Sequence, residues 1–379
     1  MSKWNIGVSR DDTAAVKGIA VMLMLVHHVF AFPYRLVNGA SYEPMIPMSD
    51  GTSVIWHLAL LGKVCVAMFT VMAGFGIYRG FSKQLQSCGD GDKTEAYLSF
   101  IFRRLKKLYF KVWPVFLVFI PMGLYLKCPF ITKDLASWVK NALLIDSTFN
   151  AEWWFLTSYL ILVLMSPMVM AFFSRKRSSL YADIVLITIL AVFTERVLLH
   201  VVLTWDKLIY LRASFIWIKM SPTLILLPMF MLGAWMAKYE IMERIMARFE
   251  GKNVARVLTG FVFILLPLIL RDGWVQSNVW GFDQFDALYG ASLCLGIVMV
   301  TCRQNVLKKP LLVIGNQSTG IWLIHSFFCF YYFQQFSYAP KKSVLVFLLV
   351  LGMSFACAWI IDFCASFIVN KIKGAKKAA

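Results

Sequence analysis

Lys17, His27 and His28 stand inside the first apolar stretch of the 379-residue chain, RDDTAAVKGIAVMLMLVHHVF, which starts with the polar residues Arg10, Asp11 and Asp12. A titratable group in such a run is costly, so each one needs a reason. Lys17 and His28 are eleven residues apart. On a helix that is about 16 Å along the axis and only about 20° of rotation, so both lie on one face. His27 points about 100° away, into a packing or orienting role. Near-neutral titration suits an imidazole to act as general base or as nucleophile. The bland alternative is a packing histidine bonded to a neighbouring span. The aligned Lys17 favours chemistry, because a lone Lys would reach the membrane rim without needing a partner.

Four further segments carry polar groups worth weighing. In Arg103-Arg104-Leu105-Lys106-Lys107, Arg104 and Lys107 project from a common helical face. They form either a topology-setting patch or a clamp for the phosphates of a phosphorylated donor. In Ile314–Phe328, Asn316, Gln317 and Ser318 lead to His325, a second intramembrane imidazole about 10 Å deeper. In Ala151–Pro167, Trp153 and Trp154 read as an interfacial belt, and Glu152 reads as solvated rather than lining a vestibule. Val64–Tyr78 holds the small residues Ala73, Gly74 and Gly76, which permit close helix approach. Asp362, inside the last apolar segment, is expected to partner Lys63 or a histidine. No HExxH pair, P-loop or GxSxG elbow is present, and no metal site is expected.

The elements that must position these groups are membrane helices. The chain is 60% hydrophobic and 15% charged, with mean hydropathy +0.70, whereas soluble chains carry about 25% charged residues. The expected fold is all-α, a polytopic transmembrane bundle of about ten spans. They fall near 13–33, 54–78, 108–126, 154–174, 180–197, 220–238, 257–270, 284–302, 311–333 and 343–369. An apolar piece, 197–202, could lengthen the fifth or sixth. Residues 1–379 read as a single membrane domain, with a basic connection about 79–111, a surface helix about 136–144 and a short basic tail 371–379. No cleavable signal peptide is expected.

The net charge of +18 does not point to nucleic acid, since no soluble basic domain exists to carry it. Placing the N-terminus inside puts 26 of the 38 basic residues on one side, including Lys3, Arg103, Arg104, Lys107 and Arg303. That asymmetry predicts both termini in the cytoplasm. None of the eight cysteines forms a metal-type spacing, and most fall in apolar spans as small hydrophobes.

The order of these motifs resembles the acyltransferase 3 family of integral membrane acyltransferases, over roughly residues 10–365. The carrying segments are Lys17 through His28, Phe69–Tyr78, Arg103–Lys107, Trp153–Tyr159 and Gly315–His325. Lys17 stands where the commonest family form has Arg, which keeps the charge and loses the bidentate fork. Ala73 replaces the serine of the family's S-G-F/Y segment, and Lys107 replaces the second Arg of R-x-x-R.

The resemblance implies about ten helices and an acyl-CoA donor, most often acetyl-CoA, entering from the cytoplasm. The acceptor it implies is a hydroxyl on a cell-surface glycan, a lipid-linked glycan precursor or another exported molecule. The setting is the lipid bilayer of a bacterial plasma membrane, beside partner proteins of envelope glycan assembly. The extracytoplasmic hydrolase-like domain of many relatives is not expected here. On this reading Lys17, Arg104 and Lys107 hold the CoA phosphates. His28 is the base or the acyl-accepting nucleophile, and His325 is a second acid/base or oxyanion-stabilising group. Two rival classes remain: a transporter or exporter of a small metabolite or glycan, and a sensor or anchor without catalysis.

Overall fold

A computed structural model describes residues 7–88, 93–275, 285–302 and 305–378. Lys3 and Arg303 lie outside them. The described residues are helical almost throughout and contain two isolated β-bridges, Glu43 with Lys342 and Pro47 with Ser53, but no strand.

Among the described residues, eight helices are long and apolar enough to cross a membrane: Arg10–Phe30, Val54–Ser87, Thr94–Tyr125, Ala151–Phe173, Leu180–Thr204, Phe215–Lys238, Asn253–Asp272 and Ser343–Ile372. Two of the ten expected spans take another form. The eighth is a shorter apolar helix, Asp286–Thr301. The ninth is broken into Asn305–Asn316, Ser318–Ser326 and a π-helical turn, Phe327–Tyr331. The break falls at Gln317, within the polar run Asn316-Gln317-Ser318. Irregular backbone of this kind survives at membrane depth only inside protein or beside a water-filled cavity. The apolar piece 197–202 joins the fifth span through a π turn at Phe193–Leu198. The expected basic connection is largely helical, because Cys65–Cys88 and Lys93–Tyr125 both run into it.

The chain divides into two compact units. The first comprises residues up to Ala20, Val64–Leu105 and Phe155–Leu311. Its first helix starts with a reciprocal cap: Ser9 Oγ accepts from the Asp12 amide at 3.1 Å, and Asp12 Oδ2 accepts from the Ser9 amide at 2.8 Å. This satisfies donors that a helix start leaves open. Asp12 also pairs with Lys308 at 2.7 Å.

In that unit, Cys65–Cys88 and Phe215–Lys238 meet backbone to backbone. A Cβ at Gly74 would overlap the Phe230 carbonyl oxygen, and one at Gly233 would overlap that of Val71. The small-residue expectation therefore holds at Gly74. Gly76 has no atom near its absent side chain, and its carbonyl instead accepts a hydrogen bond from Arg104. The helix Leu180–Thr204 is apolar but only 11% buried, a surface that requires lipid rather than water. Two buried carboxylates in this unit, Asp286 and Asp183, are paired with cations. Arg271 and Asp286, at 0% and 1% side-chain exposure, pair through Nε and Oδ1 at 2.7 Å. Asp183 takes Arg175, Lys238, Ser178 and Tyr239 as partners.

The second unit comprises Val21–Lys63, Lys106–Trp154 and Leu312–Ala379. Its short helix Val54–Gly62 lies close against the first helix because Gly62 has no side chain: a Cβ there would overlap the Leu23 carbonyl oxygen. The broken ninth span packs on Ser343–Ala378, where Gly320 faces Ala358. Leu135–Ala142 is the expected surface helix, capped by Asp134, which accepts from the Ser137 amide at 2.8 Å. Asp362 pairs with Lys111, not with Lys63 or a histidine as expected. The sequence alone could not place Lys111 beside the last span.

Candidate active site around His28 and His325

The last turn of Arg10–Phe30 and the helix Ser318–Ser326 bring the two expected imidazoles together. His28 Nδ1 lies 2.9 Å from His325 Nε2. His325 is fully buried and His28 half-buried. His325 Nδ1 lies 2.6 Å from the Trp322 carbonyl oxygen.

These contacts fix where the protons sit. A carbonyl only accepts, so His325 Nδ1 carries the hydrogen and donates it to Trp322. The Nε2 of the neutral His325 ring is then an acceptor, and His28 Nδ1 must be the donor to it. The Met24 thioether, a weak acceptor 3.2 Å from the same His28 nitrogen, agrees with that assignment. His28 Nε2 is left with its lone pair, the form a general base or nucleophile requires. His27 Nδ1 donates to the Ala59 carbonyl at 2.7 Å, which fits an orienting role on a different face.

Glu152 is a second polar group in the same unit. Glu152 is buried, at 6% exposure, and is not solvated as expected. Its Oε1 accepts from Arg35 Nη1 at 2.7 Å and its Oε2 from the Tyr331 hydroxyl at 2.7 Å. The Arg35 guanidinium also stands 3.5 Å from the centroid of Phe330 and 5.9 Å from that of Phe32. Burial acts to lower the Arg35 pKa, but the charge and hydrogen bond of Glu152 outweigh it and hold Arg35 above its ordinary value. Phe32 and Phe330 neighbour His28 as well, at centroid distances of 6.2 and 6.0 Å. One pair of aromatic rings thus adjoins both the imidazole and the guanidinium.

The segment that carries Glu152 is stapled to the one that carries His325. Asn150 Nδ2 donates to Ser326 Oγ at 2.7 Å, and Trp153 Nε1 donates to the Leu323 carbonyl at 3.0 Å. Trp153 is buried, at 1% exposure, so it is a structural clamp and not an interfacial belt residue. The sequence held one signal for this arrangement: Asn150 and Glu152 flank an apolar run with no local partner. Arg35 and Tyr331 carried no such signal.

The remaining expected site residues are cations. In the first unit, Arg104 Nη2 donates to the Gly76 carbonyl at 3.1 Å, with its guanidinium 5.2 Å from the Phe100 centroid. Arg104 is also the charge that acts on Lys17, which is exposed. Neither makes an ion pair among the described residues, so two adjacent positive groups are left for an anion. Lys107, in the second unit, is exposed one turn further along the same helix as Arg104.

No curated protein and no solved structure matches the chain. The acyltransferase domain profile matches residues 14–363, nearly the whole length and both helices of the imidazole pair. The chain belongs to the acyltransferase 3 family and is a membrane acyltransferase.

Proposed function

We propose that the protein transfers an acetyl group from acetyl-CoA to a hydroxyl of a cell-surface glycan or its lipid-linked precursor. It would do so in a bacterial plasma membrane, with both termini cytoplasmic. The observation that carries the reading is the His28–His325 pair, whose bonding leaves His28 Nε2 unprotonated inside an apolar bundle. That nitrogen takes the proton of the acceptor hydroxyl as its oxygen attacks the thioester carbonyl. The carbon–sulfur bond then breaks, CoA leaves as thiolate, and the proton returns to it.

Lys17, Arg104 and Lys107 are assigned to the donor phosphates. Lys17 and His28 share one unbroken helix, Arg10–Phe30. Eleven residues of helix separate them by about 16 Å along the axis, a span an extended pantetheine arm can follow.

The test is incorporation of radiolabel from [14C]acetyl-CoA into the glycan fraction of membranes containing the protein. Wild-type membranes should label, and membranes with equal amounts of the His28→Ala protein should not. Equal labelling by both would sink the proposal. Label that appears only when the protein moves an already acetylated solute would favour an exporter.

A further inference from the structure

We propose that Glu152 is a positioning residue for this reaction, a fixed anion that supports positive charge passed from His28 to His325. The inference rests on the acyl-transfer reading above. It adds a destination for the proton that His28 takes up.

The relay is dictated by the hydrogen-bond directions. When His28 Nε2 accepts the acceptor's proton, the hydrogen on His28 Nδ1 can cross the 2.9 Å bond to His325 Nε2. His28 is then neutral again, and His325 is an imidazolium that still donates through Nδ1 to Trp322. The reverse transfer returns the proton through His28 to the CoA thiolate, so the dyad ends as it began. An imidazolium at a fully buried position needs a nearby anion.

Glu152 meets that need by placement. The two staples, Asn150 to Ser326 and Trp153 to Leu323, bracket Glu152 on one side of the contact and His325 on the other. Asn150 Oδ1 also accepts from the Glu152 amide at 3.2 Å. Of the charged groups that face His325, Glu152 acts on it most strongly, ahead of Arg35. The charged and titratable groups facing His28 are His325, His27, Arg35 and Lys63.

The bonding of Glu152 also says what it does not do. Arg35 occupies one carboxylate oxygen and Tyr331 the other. It is therefore held in one orientation and works through the field it sets at His325. Arg35 pairs with the carboxylate, and its guanidinium stands 3.5 Å from the Phe330 ring centroid.

The test compares wild type, His28→Ala, Glu152→Gln and the double variant Glu152→Gln/Arg35→Met, all at matched membrane abundance and with [14C]acetyl-CoA. The double variant leaves no orphaned arginine and serves if the single one fails to accumulate. Both Glu152 variants should lower kcat ten- to a hundredfold while the donor KM stays within about twofold. Glu152→Asp, which keeps the charge, should recover part of the lost kcat. A wild-type kcat in either abundant Glu152 variant overturns the inference, as does a loss confined to KM. If His28→Ala is also as active as wild type, the acyl-transfer reading itself has failed. Loss in His28→Ala with full activity in the Glu152 variants rejects the role of Glu152 alone.

Discussion

His28 Nδ1 and His325 Nε2 are 2.9 Å apart, although 297 residues separate them in the chain. The Trp322 carbonyl orients His325, and His325 in turn fixes the tautomer of His28. A backbone acceptor therefore decides the protonation state of a side chain on a different helix.

Loss of that orientation should be costly even with His28 intact. His325→Ala should lower kcat by about a hundredfold or more, because His28 is then free to carry its proton on either nitrogen. Donor KM should change little. Steady-state kinetics of acetyl transfer checks this, and a wild-type kcat would contradict it.

The base role of His28 predicts that no acyl-enzyme accumulates. Membranes quenched during turnover with [14C]acetyl-CoA should show no label on the protein after denaturing electrophoresis. Stable label that disappears in His28→Ala would instead make His28 a nucleophile.

The cations should report on the donor and not on the chemistry. Arg104→Ala and Lys107→Ala should raise the KM for acetyl-CoA with kcat within a few-fold of wild type. Arg104→Ala should have the larger effect, since Arg104 is anchored on the Gly76 carbonyl beside Lys17, whereas Lys107 is exposed. Competition by free CoA measures the same property independently. An effect confined to kcat would contradict the assignment.

Stability should be most sensitive where backbones touch. Gly74→Val places branched carbon against the Phe230 carbonyl and the neighbouring turn. Overpacking of this kind costs about 1–3 kcal/mol or more. Gly76→Ala meets open space at the same helix and should be nearly neutral. Thermal unfolding in detergent, followed by loss of monodisperse protein, separates the two.

Breaking the fully buried pair should cost more. Arg271→Met alone removes one partner of a buried ion pair, a loss of about 3–5 kcal/mol. Arg271→Met with Asp286→Leu should recover most of it. The same melting assay tests both.

Much of this was legible in the sequence. Eleven residues between Lys17 and His28, and long apolar runs, were enough to expect a membrane bundle with a buried imidazole. The helix-packing role of Gly74 was legible for the same reason, since only close backbone approach calls for a residue without a side chain there. The unforeseen parts are pairings between distant segments. Glu152 beside two tryptophans resembles a solvated interfacial residue until Arg35 and Tyr331 are brought to it. Asp362 has no cation within two helical turns of it in the sequence, and only packing selects Lys111. Hydropathy alone makes the ninth span continuous, because it does not register a break that polar residues make inside protein.

The π-helical turn at Phe327–Tyr331 carries one consequence of its own. The turn ends the helix Ser318–Ser326, and its hydrogen-bonded ring holds one residue more than an α turn. Each added residue rotates the side chains beyond it by about 100°. Tyr331, at the end of the turn, owes its aim at Glu152 to that added residue, while His325 lies before it and is unaffected. Deleting Cys329 would close the turn to an α-helix and swing Tyr331 to another face, with every polar side chain of the site retained. The angular setting of the site is thus written in chain length, where no single substitution can reach it.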